Sequence, residues 1–251
     1  MRYIIKGAEP PVLKKFKLEN KDTPENLVYN NLTKEQKTQI KVALLKEQGY
    51  LCAYTMMSIV TEELCHIEHL HPQNTYPTLD LVYENMLACV PKDGGEKYIK
   101  TSQGKLAGFG APLKAGIDIK RDGQDWFVSP LYPDCEIRLL FSNDGSVKAR
   151  SVDDKDADLT ITVLNLNADI LKEQRQAALR AVGLPIRNRY SRPISEKNIS
   201  PKQAQVLAQN VMKPNQQGKL TPFCTAIAQV ASRYANQQLL QAQRMKSNRT
   251  R

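Results

Sequence analysis

The clearest apolar pattern in the chain lies between positions 33 and 49. There Ile40, Val42, Ala43, Leu44 and Leu45 form a mostly helical apolar face, Thr33 and Gln36 have the spacing of a capping box, and Gly49 supplies a stop. The first 32 residues contain Lys and Pro and are weakly periodic, with a short apolar start at Tyr3, Ile4 and Ile5. Past the helix, Cys52 to Thr55 reads as a tight connection and Met56 to Val60 as a short strand. Glu62 to Leu70 alternates in part. If extended, it sets Leu64, His66, Glu68 and Leu70 on one face and Cys65, Ile67 and His69 on the other. Adjacent Glu68 and His69 then point apart unless the strand ends or bends beside them, and Pro72 favours such an ending.

Leu81 to Val90 reads as the start of a helix or a loop leading into one, and Lys92 to Gly116, rich in Gly and Lys, as an irregular excursion. Asp125 to Val128 and Glu136 to Phe141 read as strands. The second returns as Val147 to Arg150 through Asn143-Asp144-Gly145-Ser146, a strong hairpin signal. The acidic run Asp153, Asp154, Asp156 and Asp158 reads as a solvated loop rather than a ligand set. From Asn167 a helical stripe of Ile170, Leu171, Ala177, Ala178, Leu179 and Val182 runs to the break at Gly183 and Pro185. Ser200, Pro201 and Gln203 open another capped helix, carrying Val206, Leu207 and Val211. A last helix is expected from Thr221 or Pro222 through Leu240. The pattern predicts an α+β fold, mainly helical, with a β-hairpin.

Composition narrows the class. With 251 residues and 41% apolar content the chain can bury at least one core. No apolar run approaches the roughly 20 residues of a membrane span, and the N-terminal residues do not read as a signal peptide, so a cytoplasmic protein is expected. The five cysteines are odd in number and widely spaced, which fits reduced thiols. Of the net charge of +10, nine units fall from Lys197 onward, where no Asp or Glu occurs. Such a segment suits a polyanion, nucleic acid above all, or is simply a solvated basic face. A Walker-type phosphate loop is missing, so nucleotide hydrolysis would fall to a partner.

The chemistry concentrates in His66 to Gln73, which holds all three histidines, His66, His69 and His71, around Glu68. An imidazole beside a carboxylate can serve as a base near neutral pH or bind a divalent metal. The bland alternative is a polar loop rich in histidine.

The stretch Ile67-Glu-His-Leu-His-Pro-Gln73, preceded by Gln48-Gly-Tyr-Leu-Cys-Ala-Tyr54 and followed by Tyr83-Glu-Asn-Met-Leu-Ala-Cys89, resembles the HNH endonucleases of the retron-associated and Septu PtuB type. The opening MRYIIKGAEPPVL and the later LNLNADILKEQR are similar to that family as well, so the resemblance covers roughly the first 180 residues. It implies an embedded ββα-metal (HNH) unit in which one divalent ion is held against the scissile phosphate. Glu68 matches the metal-binding position, His69 the general base, and Asn85 the asparagine that orients the base or its loop. His66 is an additional catalytic candidate, and Lys114 and His71 are candidate nucleic-acid contacts.

Two departures affect the metal chemistry. Cys52-Ala53-Tyr54-Thr55 stands where family members carry CxYC, and Ala111 falls near a further metal-ligand position. A structural zinc, which needs about four sulfur or nitrogen ligands, is therefore not expected. The catalytic ion would be Mg or Mn, held by Glu68, a histidine, water and substrate oxygens, or with Asp93 substituting. The expected organisation is an N-terminal helical segment (1–50), the HNH-like core (51–116), a hairpin-containing region (117–165) and a basic helical region (166–251). The resemblance implies a toxic effector of antiphage defence that hydrolyses phosphodiester bonds in DNA or structured RNA such as tRNA. Its implied partners are a PtuA-type ATPase and, in retron systems, a reverse transcriptase with its RNA-DNA product. The alternative is a catalytically degenerate scaffold that binds nucleic acid or the ATPase without cutting.

Overall fold

The computed structural model describes residues 1–95, 98–100, 106–186 and 198–249. Helix α1 (Pro11–Glu19) opens on a proline, whose missing N–H costs nothing at a first position, and buries Leu13 and Phe16. Helix α2 (Lys34–Glu47) has the expected capping box: the Gln36 amide donates to the Thr33 hydroxyl at 3.2 Å, and the Thr33 amide to Gln36 Oε1 at 2.8 Å. It ends where Gly49 and Tyr50 both turn left-handed, at φ 58° and 62°.

The expected strand at 56–60 is absent. The Met56 amide closes a turn onto the Cys52 carbonyl at 2.9 Å with φ at 62°, leaving an isolated bridge between Leu51 and Ser58. Met56 and Ile59 are buried by turn packing, not by strand pairing, and Val60 is exposed.

Strand β1 (His66–His69) is shorter than the alternation suggests, because Glu62–Leu64 forms a 3₁₀ turn. It pairs antiparallel with β2 (Met86–Cys89), setting His66 opposite Cys89, Glu68 opposite Leu87 and His69 opposite Met86. β2 corrects the helix-or-loop reading of 81–90. All four of its residues are buried, so no polar face reveals either period. In the stretch read as irregular, β3 (Tyr98–Lys100) pairs with β4 (Leu106–Gly108), and the short helix α3 (Ala111–Lys114) follows.

Strands β5 (Lys120–Arg121) and β6 (Gln124–Asp125) turn around Asp122-Gly123, an Asp-Gly hairpin where a strand at 125–128 was expected. Likewise, α4 (Cys135–Arg138) takes the first half of the expected strand 136–141. The Asp144-Gly145 hairpin joins β7 (Leu139–Phe141) to β8 (Val147–Ala149), with Phe141 opposite Val147. Gly145 sits at φ 78°, and a Cβ there would lie 2.3 Å from the Lys172 carbonyl oxygen.

The acidic run begins a helix instead of a solvated loop. Asp154 caps α5 (Lys155–Val163) by accepting from the Ala157 amide at 3.0 Å and also binds Arg138, while Asp156 and Asp158 occupy the positive first turn. Helix α6 (Asp169–Ala181) stops at Gly183, α7 (Pro201–Asn210) carries the second capping box, and α8 (Cys224–Arg249) runs past the expected end at Leu240. One apolar core spans the sequence from Met1 through Leu44, Leu87, Phe127, Leu139 and Leu171 to Ala235. Gln229 joins α8 to β7 through the Phe141 amide and the Leu139 carbonyl. The described residues make a mixed α+β fold with four two-stranded antiparallel sheets, and no helix among them is long and apolar enough to cross a membrane.

Candidate functional site

β1 ends at the mouth of a cleft of about 240 Å³ lined by Ile67, Glu68, His69, Gln73 and Gly116, among others. The two-residue period puts His66 and Glu68 on one face, with His66 Nε2 at 3.6 Å from Glu68 Oε2. The other oxygen, Oε1, receives the Lys114 ammonium at 3.0 Å and the Tyr54 hydroxyl at 3.4 Å. Lys114 comes from α3 and also donates to the His69 carbonyl at 3.1 Å. It is 0% exposed, so the residue expected to reach nucleic acid is enclosed beside the acid.

His69 points off the opposite face, as the alternation requires. Its Nε2 lies 2.9 Å from the Asp80 carbonyl, and the Tyr29 ring meets it edge-on at 4.9 Å between centroids. Because a carbonyl can only accept, Nε2 carries the proton and Nδ1 is the basic nitrogen of the neutral ring. Burial lowers the His69 pKa below 6.5, an effect only partly opposed by the Asp80 carbonyl and carboxylate. The ring is thus held neutral, the form a base requires.

His66 shifts the other way. Burial works against its charge, but the Glu68 carboxylate and the Pro91 carbonyl, 2.5 Å from Nδ1, outweigh it and raise the pKa above 6.5. His71 is packed edge-on against Tyr76 and faces Asp125 across 3.7 Å. Burial keeps its pKa low.

Asn85 does not face the cleft. Its side chain accepts from the His71 amide at 2.7 Å and donates to the His71 and Leu79 carbonyls at 3.0 and 3.2 Å, clamping both ends of the 70–85 connection. The clamp fixes the strand end from which His69 projects. Sequence reasoning missed Tyr29 and Asp80, which pack against His69 from 40 and 11 positions away with no local motif to mark them. Tyr54 was visible inside the quoted motif.

Comparison with protein-family models gives no match, and comparison with curated proteins gives none either. The chemistry therefore rests on the geometry of the chain itself.

Two of the thiols converge. Burial raises the Cys52 thiol, but hydrogen bonds from Cys89, Thr55 and the Val90 amide overcome this and draw it down to about 6. Thr55 stands in the same turn, where it hydrogen-bonds the Cys52 thiol. Among the described residues no group of three or more His, Cys, Asp or Glu side chains is placed to hold a metal. Glu68 Oε2, the oxygen that neither Lys114 nor Tyr54 engages, is the atom that would hold an ion of the magnesium kind, which takes few protein ligands and fills its shell with water and substrate oxygens. Asp93 is drawn to Lys41 at 2.5 Å.

Proposed function

We propose that the chain is a metal-dependent nuclease of the HNH kind, the toxic effector of an antiphage defence system of retron or Septu type. Its substrate would be a phosphodiester bond in DNA or in structured RNA such as tRNA. The observation that carries the reading is His69 at the end of β1, its Nε2 fixed on the Asp80 carbonyl, beside Glu68 in the lining of one cleft. In this mechanism His69 Nδ1 takes the proton of the water that attacks phosphorus, and Asp80 and Tyr29 hold the ring in position. A Mg or Mn ion at Glu68 would supply charge neutralisation at the phosphate. In its buried setting, Lys114 and Tyr54 satisfy one Glu68 oxygen while the other faces His66. The departing oxygen is protonated from solvent.

The partners proposed are a PtuA-type ATPase and, in a retron, a reverse transcriptase with its RNA-DNA product. The site does not choose between DNA and RNA, because the chemistry addresses the phosphate alone. A cytoplasmic location goes with this reading. One observation favours a second reading, a degenerate scaffold that binds without cutting: the Lys114 ammonium already neutralises the carboxylate that would hold the ion. Cleavage of supercoiled DNA and of total tRNA by the assembled complex with millimolar Mg or Mn, wild type against His69→Ala, tests the two. Metal-dependent cutting lost in the variant supports the nuclease, and no cutting by wild type supports the scaffold.

A further inference from the structure

A second cleft, of about 380 Å³, lies where the C-terminal basic region meets the turn before β1, and Tyr50, Ser58, Lys213, Asn215, Lys219 and Thr221 are on its wall. None of its lining residues is acidic. The two lysines enter from the connection between α7 and α8, which is tied to the rest of the fold. The Leu220 amide donates to the Gly49 carbonyl at 2.9 Å and the Phe223 amide to the Met56 carbonyl at 3.2 Å. The Leu220 side chain fills the space over Gly49, where a Cβ would come within 2.6 Å of it.

Within the connection, Asn215 Oδ1 accepts from the Lys219 amide at 2.9 Å. The Lys219 ammonium is carried over the Tyr50 ring, 5.1 Å from its centroid. The Lys213 ammonium rests on the neutral side chain of Asn210 at 3.1 Å. Among the described residues neither lysine is neutralised by a carboxylate, so both charges remain to be used.

The backbone here is unusual. Tyr50, Met56 and Phe223, none of them glycine, all adopt left-handed φ, at 62°, 62° and 57°. Such conformations persist only where the surroundings enforce them, and they concentrate at sites that hold a ligand in a fixed geometry. Two uncompensated ammonium groups, hydroxyls and an aromatic wall on a rigid frame suit a phosphodiester group better than a protein surface.

We propose that this cleft is a second contact for the substrate strand, which takes a backbone phosphate between Lys213 and Lys219 at a distance from the cleaving residues. The inference rests on the nuclease reading for the identity of the polymer. It adds a grip that sets affinity and register without taking part in the chemistry.

The test uses the full-length His69→Ala protein, so that binding is measured without cleavage. Fluorescence anisotropy with a labelled single-stranded oligonucleotide and a labelled tRNA-like hairpin is followed as salt is raised. Adding K213Q and K219Q should weaken binding on the order of 10-fold and flatten the log Kd against log salt slope by about 1.4 on the single strand. The control pair K14Q and K15Q, on the exposed side of α1, changes net charge equally and should leave the slope nearly unchanged. Unaltered binding in K213Q/K219Q, or an equal loss in the control pair, overturns the cleft alone, because metal-dependent cutting by the wild-type complex tests the nuclease reading separately. If the parent protein binds neither probe, the cleft is overturned as a substrate contact, and the nuclease reading stands or falls on cleavage by the assembled complex.

Discussion

The Lys114 ammonium lies 3.0 Å from Glu68 Oε1, and its side chain is wholly enclosed. Neither group is stable alone at that depth, since an unpaired buried charge costs several kcal/mol. Lys114→Met should therefore destabilise the fold by roughly 3–5 kcal/mol, and Glu68→Gln in the same chain should restore part of it. Urea denaturation of both single variants and the double variant measures the coupling. If Lys114→Met weakened nucleic-acid binding and left stability unchanged, Lys114 would be a phosphate contact and not the counter-ion of Glu68.

His69→Ala should lower cleavage by on the order of 100-fold or more while the thermal transition persists, since it removes the proton acceptor. The wild-type pH profile gives a second readout. Because burial lowers the His69 pKa, kcat/KM should rise with pH along a limb whose midpoint lies below 6.5. His69 binds protons less well folded than unfolded, so its contribution to stability falls as pH drops from 6.5 toward the lowered value. His66 is the reverse: its contribution is complete below 6.5 and is lost as pH climbs through its raised value. An acid limb centred above 6.5 would move the base to His66.

Both capping boxes and the Asp144-Gly145 hairpin were legible in the sequence because each is a local exchange of hydrogen bonds within a few residues. The site was legible in part. The cluster around Glu68 drew attention to a strand that borders a cleft, and the alternation set His69 off the opposite face from Glu68. The buried strand Met86–Cys89 escaped because nothing in it is polar, and the enclosure of Lys114 escaped because its partners lie 45 residues away. Long-range burial leaves no local trace in charge or period.

Asn85→Ala should cost on the order of 2 kcal/mol, since it strips partners from the His71 amide and carbonyl and from the Leu79 carbonyl. Asn85→Asp keeps the acceptor and loses both donors. It should cost at least as much as Ala, since a buried carboxylate then faces the His71 and Leu79 carbonyls. Hydrogen exchange of the His71 amide checks the cause: exchange should quicken in Asn85→Ala, and an unchanged rate would remove the clamp from the explanation.

Metal content follows from the donor set. Cys52 and Cys89 meet beside Thr55, two thiols where a structural zinc takes about four ligands. Elemental analysis of purified protein should find less than one zinc per chain, and chelation should leave the melting temperature unchanged. Cleavage should need added Mg or Mn. A stoichiometric zinc that survives chelation would mean that further donors join the two thiols.

A chain ended after Gly183 should fail to fold. It loses the buried Phe223, Cys224, Ile227 and Ala231 from the common core, and it strips Gln229 from the Phe141 amide and the Glu136 and Leu139 carbonyls. Exposing such side chains costs roughly 2 kcal/mol each, more than a marginally stable domain can lose several times over. A chain ended after Gln238 removes only the outer part of α8, including the exposed Leu239, Leu240 and Met245, and should unfold cooperatively within about 1 kcal/mol of the full chain. Circular dichroism with urea titration separates the two truncations. A cooperative transition in the Gly183 form would show that 1–183 is a free-standing domain and that α7 and α8 are an addition to it.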